Sequence, residues 1–231
     1  MTIGIIGAME EEIAVLKQEI ENLEIIEHAS LSFYKGILCG KNVVIVRSGI
    51  GKVNAAACTQ ILADKFAVDV LINTGVAGSL DATIDIGDMV ISTDLVQHDM
   101  DTTTFGDPLG QVPRMDTFSF PADKELVEKA VVANQEVNPD IHTFTGRIVS
   151  GDQFVSSPEM KASLVRNFGA KCTEMEGAAI AHVAYLNKIS CVIIRAISDK
   201  ADNSSTMDYS IFEKQAIEHS LRLVRNLLTR L

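Results

Sequence analysis

The chain has 231 residues, 47% hydrophobic and 22% charged, a globular composition with enough length for one large α/β domain or two small ones and for a sizeable core. A formal net charge of -11 argues against nucleic acid as a partner, because binding a phosphate backbone needs clustered Lys and Arg. No apolar run is long enough to span a membrane, and "MTIGIIGAMEEE" has neither the basic start nor the cleavage site of a signal peptide; four scattered cysteines without a C-x-x-C pair suit buried thiols in a reducing, cytoplasmic compartment.

In chain order, Ile3 to Ile6 predict a short buried strand ending at Gly7. Met9, Ile13, Leu16, Ile20 and Leu23 follow at the three-and-four spacing of one amphipathic helix over 8–23. "SFYKGILCGKNVVIVRSGIG" predicts a hairpin around Gly40, with a β-branched second strand. "KVNAAACTQILADKF" reads as helix, "VDVLINTGVAG" as a buried strand running into a glycine loop, and "GDMVISTDLVQHD" as another strand. A turn at Pro121 precedes a helix, "HTFTGRIVSGDQF" is a strand, and "PEMKASLVRNF" and "TEMEGAAIAHVAYLN" are helices. "SCVIIRAISDKAD" is the last buried strand, and Tyr209 to Leu231 a closing amphipathic helix. Strands and helices alternate without repeats or linkers. That order predicts a single α/β domain over 1–231, a three-layer αβα arrangement around a mixed, mostly parallel twisted sheet.

In such sheets ligands bind beyond the carboxyl ends of the strands. Here those ends read "IIGAMEEE", "VRSGIGK", "INTGVAG", "IVSGDQF" and "IIRAISD", and the five loops are expected to converge on one crevice. The dinucleotide fingerprint is incomplete, since Asn54 replaces the third glycine of "SGIGKVNAA". A Walker loop fails because Val53 follows Gly51-Lys52, and no G-x-S-x-G elbow exists. His98, Asp99 and Asp101 in "QHDMD" are better explained by loop hydrogen bonding than by a metal, so no metal is assigned.

Acids at strand ends remain: Glu12, Asp152, Glu174, Glu176 and Asp199. Carboxylates in a water-poor crevice suit cleavage of a glycosidic bond, in which one activates water and another protonates the leaving group. Asp199 follows an apolar strand, where burial raises its pKa and lets it hold a proton, although a capping role is equally compatible with its position. Glu12 stands behind Glu10 and Glu11, all three suited to a helix first turn. Thr173 and Glu176 have capping-box spacing, T-x-x-E, which accounts for one acid without chemistry. Arg195 lies inside an apolar strand and needs a carboxylate partner, with Glu174 or Glu176 in reach of that role.

"IGIIGAMEEE", "SGIGKVNAA", "INTGVAG", "HDMDTTTFG", "SGDQF", "EMEGAAIA" and "RAISDKAD", in this order, resemble the nucleoside phosphorylase/hydrolase superfamily and, within it, the 5'-methylthioadenosine/S-adenosylhomocysteine nucleosidases. The resemblance spans nearly the whole chain. It implies that Glu12 activates water, that Asp199, next to Ser198, protonates adenine N7, and that Glu176 holds the ribose 2'-hydroxyl with Glu174 and Arg195 in support. It further implies adenine recognition by Phe154 and Val155, a sugar face formed by Met175, and the Val76–Gly78 loop near water and ribose. Met9, Ile50 and Tyr209, with Phe105 and Pro113 of a second subunit, would enclose the 5'-alkylthio group, which implies a homodimer and no cofactor. Val76 stands where relatives commonly carry serine, and Tyr209 where phenylalanine is common. The acidic "GAMEEE" loop favours water over phosphate as the attacking group. Arg47 keeps a phosphorylase as the alternative enzyme, although a strand-end surface arginine explains it as well; a non-catalytic nucleoside-binding protein is the alternative from another class.

Overall fold

A computed structural model describes residues 1–231. Its strands are β1 (Thr2–Gly7), β2 (Glu21–His28), β3 (Leu31–Leu38), β4 (Lys41–Arg47), β5 (Val70–Ser79), β6 (Met89–Gln97), β7 (Phe120–Pro121), β8 (Thr143–Ser150), β9 (Cys172–Glu174) and β10 (Ser190–Asp199). The helices are α1 (Ala14–Gln18), α2 (Lys52–Phe66), α3 (Lys124–Val137), α4 (Pro158–Phe168), α5 (Gly177–Asn187) and α6 (Ser205–Arg230).

The strands form one mixed sheet in the order β10-β6-β8-β9-β5-β1-β4-β3-β2, with β7 on β6 and a further pairing of β10 with β5. β4, β1, β5 and β10 run parallel, as do β6, β8 and β9. Because β10 pairs with both β5 and β6, and β9 bridges β8 to β5, these five strands close into a ring. Alternation along the strands sends Ile3, Ile5, Val43, Ile45, Val192 and Ile194 to a core shared with α3 and α6. Ile6, Val44, Val46 and Ile193 face the opposite layer, built by α2 and α5. Both faces are therefore covered, as the αβα expectation requires.

Four local expectations are corrected. The helix expected over 8–23 is only α1, and Glu21 onward is the edge strand β2, antiparallel to β3. Asn22 takes a left-handed φ of 53° beside a register shift, which ends any helical path, and Leu23 is exposed and not part of the core. Next to it, a Cβ on Gly36 would lie 2.3 Å from Ile20 Cγ2 and 2.5 Å from the Glu21 carbonyl, so glycine permits the close crossing. Thr173 and Glu174 belong to β9, so α5 starts four residues later than the sequence suggests. The closing helix starts earlier, at Ser205. Among the cysteines Cys58, Cys172 and Cys191 are buried, but Cys39 is exposed in the β3–β4 turn.

Candidate active site

The five strand-end loops meet at a cavity of about 200 Å³. Met9 and Glu12 reach it from the loop after β1, Ile50 from the loop after β4, Val76 and Gly78 from the end of β5, and Phe154 from the loop after β8. Glu174, Met175 and Glu176 come from the β9–α5 junction, Ser198 and Asp199 from the end of β10, and Tyr209 from α6.

Glu12 is 4% exposed. Its Oε2 accepts from the backbone N–H groups of Ala8 (2.6 Å) and Met9 (3.0 Å), and its Oε1 accepts from that of Val76 at 3.4 Å. Glycines make room for it, since a Cβ on Gly75 would stand 2.6 Å from Glu12 Oε1. Burial raises its pKa, against the lowering effects of Arg195 and the three N–H groups, and so makes it a stronger base than a surface glutamate.

At the mouth of α5 the capping-box expectation is replaced by a different arrangement. Glu176 occupies the N-cap position, yet its side chain makes no capping bond. Instead Glu174 Oε2 accepts from the N–H groups of Glu176 (3.1 Å) and Gly177 (2.7 Å). Ser150 donates its hydroxyl to Glu174 Oε1, while its oxygen accepts from Ala178 N at 2.7 Å. The helix start is thus satisfied from the sheet, and Glu176 is free for another task.

Arg195 supplies the counter-charge. Its Nη2 donates to Glu174 Oε2 and to Asn73 Oδ1, each at 2.5 Å, and Asn73 in turn donates to the Ile6 carbonyl at 2.9 Å. Burial works against the guanidinium's charge, but the carboxylates of Glu174, Glu176 and Glu12 outweigh it and hold its pKa up. Glu176 Oε1 accepts from Gly51 N at 2.8 Å, and its Oε2 has no hydrogen bond within the chain. Burial first, and Glu174 beside it, push the Glu176 carboxyl up to about 7.

Asp199 also lines the cavity and is 2% exposed. It accepts from Ala201 N at 2.8 Å and from the Ser198 hydroxyl at 2.9 Å. A Cβ on Gly78 would come within 2.7 Å of its Oδ1. Burial raises its pKa, and Asp208 and Asp202 add to the effect over the opposing Ala201 and Ser198 hydrogen bonds. Beside Asp199, Phe154 and Val155 line a narrow annex of about 30 Å³. Phe154 meets Tyr209 edge-on at 6.1 Å, and the Tyr209 hydroxyl lies 3.4 Å from Met9 Sδ, closing the opposite wall.

Arg195 supports the cavity from behind without lining it, and Phe105 and Pro113, expected there only from a second subunit, stand exposed on a loop of this chain away from it. Asp152 does not enter the cavity; its Oδ1 accepts from Lys52 N, while Lys52 Nζ and Asp152 N both bond Asp99, tying three loops together. Asp101 likewise accepts from Thr103 within its own loop. Sequence reasoning gave no role to Ser150, Asn73, Gly75 or Gly51, although all lie in the loops it singled out. The signal for Ser150 and Asn73 was a polar residue directly after an apolar run, Asn73 after Val70, Leu71 and Ile72, and Ser150 after Ile148 and Val149.

The cavity brings together three buried carboxyl groups, Glu12, Glu176 and Asp199, a set suited to cleaving a glycosidic bond. Comparison with known proteins places the chain in a family. The sequence model of the Phosphorylase superfamily matches residues 2–229. A 5'-methylthioadenosine/S-adenosylhomocysteine nucleosidase of Staphylococcus carnosus is 44% identical, over 99% of this chain and 100% of its own. The crystal structure of such a nucleosidase from Neisseria meningitidis, in complex with methylthio-immucillin-A, is 41% identical with a TM-score of 0.96, covering 100% of this chain and 99% of that one. Another from Colwellia psychrerythraea, in complex with adenine, is also 41% identical with a TM-score of 0.96, over 100% of this chain and 96% of that one.

Proposed function

The chain belongs to the phosphorylase superfamily and, within it, to the 5'-methylthioadenosine/S-adenosylhomocysteine nucleosidases, and on that premise we propose that it hydrolyses the N-glycosidic bond of these two substrates in a single domain over 1–231, releasing adenine and the 5-thioribose product. The observation that carries the reading is that Glu12 and Asp199, both buried and both with a pKa raised by burial, line one small cavity.

In this reading Glu12, its carboxylate aimed by Ala8, Met9 and Val76, takes a proton from the attacking water. Asp199 delivers its proton to adenine N7, so the base leaves neutral, with Phe154 and Val155 at the purine end. The free Oε2 of Glu176 accepts from the ribose 2'-hydroxyl, and its charge stabilises the oxocarbenium-like sugar. Met175 covers the sugar, and Met9, Ile50 and Tyr209 receive the 5'-thio group. No step calls for a metal or cofactor. Recycling of adenine thionucleosides, as in methionine salvage, is the corresponding cellular task, in the cytoplasm; no helix is long and apolar enough to cross a membrane.

The enzyme acts as a homodimer in which Phe105 and Pro113 of the partner complete the 5' pocket. Support comes from Phe105, 87% exposed, and from Ile50, an apolar residue of the cavity lining that is itself exposed. Phe105→Ala should then raise KM for methylthioadenosine about tenfold with little change in kcat; an unchanged KM would remove the partner loop from the site.

The deciding experiment follows adenine release from 5'-methylthioadenosine in phosphate-free buffer and again with phosphate. Release without phosphate, with methylthioribose as co-product, is expected. Release only with phosphate, giving a sugar phosphate, would make the protein a phosphorylase; binding without release would make it a nucleoside-binding protein.

A further inference from the structure

The catalytic cavity, at about 200 Å³, is smaller than the ~300–1,000 Å³ usual for small-molecule sites, so a nucleoside fills it and a long 5'-substituent must continue outside. At the purine end the annex of about 30 Å³ is too small for such a substituent. At the opposite end Ala8, Met9 and Ile50 line a second, open cleft of about 700 Å³ between the loop after β1, the β2–β3 turn and the end of β4. These three residues are a shared wall, and they belong to the side on which the 5' group lies in the reading above.

The second cleft differs from the first in its chemistry. Its lining includes Glu10, Glu11, Lys17 and Arg47 as well as Ser48 and Asn54. Two of the four charges are already engaged: Lys17 donates to Glu10 and lies 4.3 Å from the Tyr34 ring centroid. Arg47 and Glu11 are left over, exposed, one cation and one anion, neither with an ion pair within the chain. A ligand with one carboxylate and one ammonium complements such a pair, and a guanidinium fork is the side chain best shaped for a carboxylate.

We propose that this cleft is the subsite for the α-amino-acid end of S-adenosylhomocysteine, with Arg47 binding the α-carboxylate and Glu11 the α-ammonium, a placement that rests on the nucleosidase reading. Methylthioadenosine ends at the shared wall and does not reach it. The cleft therefore sets the preference between the two substrates and leaves the bond-breaking groups untouched. Arg47 thus acquires a role other than phosphate binding or plain surface charge.

The test is the ratio of kcat/KM for S-adenosylhomocysteine to that for methylthioadenosine, in the wild type, Arg47→Met and Glu11→Gln. Each substitution should lower the ratio about tenfold or more, as loss of a charge-assisted hydrogen bond does. A substrate whose α-carboxylate is replaced by a neutral amide should be indifferent to Arg47→Met but still sense Glu11→Gln. A ratio within about twofold of wild type in both variants, or an equal fall for both substrates, would overturn the subsite. Dissociation constants for the two nucleosides, measured by calorimetry on the same proteins, separate the two failures. If the wild type cleaves neither substrate the nucleosidase reading falls, while the ratio of dissociation constants across the variants still decides the subsite.

Discussion

Glu12 and Asp199 each stand against a glycine in the second half of β5, Gly75 and Gly78, at distances a Cβ would not leave intact. The strand segment "NTGVAG" thereby sets the position of both carboxylates through what it lacks. Gly75→Ala should displace Glu12 and lower kcat about 100-fold or more with a smaller effect on KM, since a misplaced base fails in the transition state before it fails in binding. Asp199→Asn should cost at least ~100-fold in turnover, and near-normal steady-state rates in that variant would remove Asp199 as the acid. In the proposed mechanism the pH profile follows from these two groups and Glu176. Glu12 and Glu176 must be ionised and Asp199 protonated, so activity falls as pH drops below the raised pKa values of the two glutamates, about 7 for Glu176, and as it climbs above the raised pKa of Asp199. The acid limb should therefore lie above the ordinary ~4.3 of glutamate, and the residual rate of Asp199→Asn should lack the alkaline limb.

At the scale of elements, α2 and α4 were legible to the residue, because helical periodicity and their flanking turn residues point the same way. The first helix was not. Ile20 and Leu23 continue the helical period of the preceding residues, but Ile25 and Ile26 gain more by pairing with Tyr34 and Phe33, a partner that local spacing cannot reveal. The acids Glu21, Glu24 and Glu27 that suited a helix surface serve equally well on a solvated edge strand, where they discourage edge-to-edge association. The mouth of α5 failed for a related reason. T-x-x-E predicts a local cap, whereas Glu174 and Ser150 reach the same amides from the end of the sheet. The candidate site was more legible than its framework: the five glycine and acid loops were identifiable because strand ends converge in α/β sheets whatever the exact helix limits. Ser150→Ala, which leaves Ala178 N and Glu174 Oε1 without a partner, should destabilise the fold by about 1–3 kcal/mol, measurable by urea unfolding.

For the whole molecule, the buried charges weigh on both stability and function. Arg195 and Glu174 are 2% and 3% exposed, and removing one of them strands the other, so Arg195→Met should lower unfolding free energy by about 3–5 kcal/mol. Glu176 acts in the opposite direction. Its carboxyl is held up to about 7, so its ionisation opposes folding; the penalty is absent below the unfolded glutamate pKa of ~4.3 and grows as pH rises towards 7. Glu176→Gln should therefore raise Tm at neutral pH, by ~2–4 °C per kcal/mol recovered, with the gain fading near pH 4. A Tm that is equally raised at pH 4 would mean that the gain has another source.

The ring of β5, β10, β6, β8 and β9 also has a history during synthesis. Strand β10 is made last, yet it seats between β5 and β6 and carries both Arg195 and Asp199. Until it emerges from the ribosome, a nascent chain presents two unpaired strand edges, the kind of surface on which chains aggregate. A partly made polypeptide therefore has neither the guanidinium nor the acid. The growing chain cannot act on a nucleoside before its final strand closes the ring.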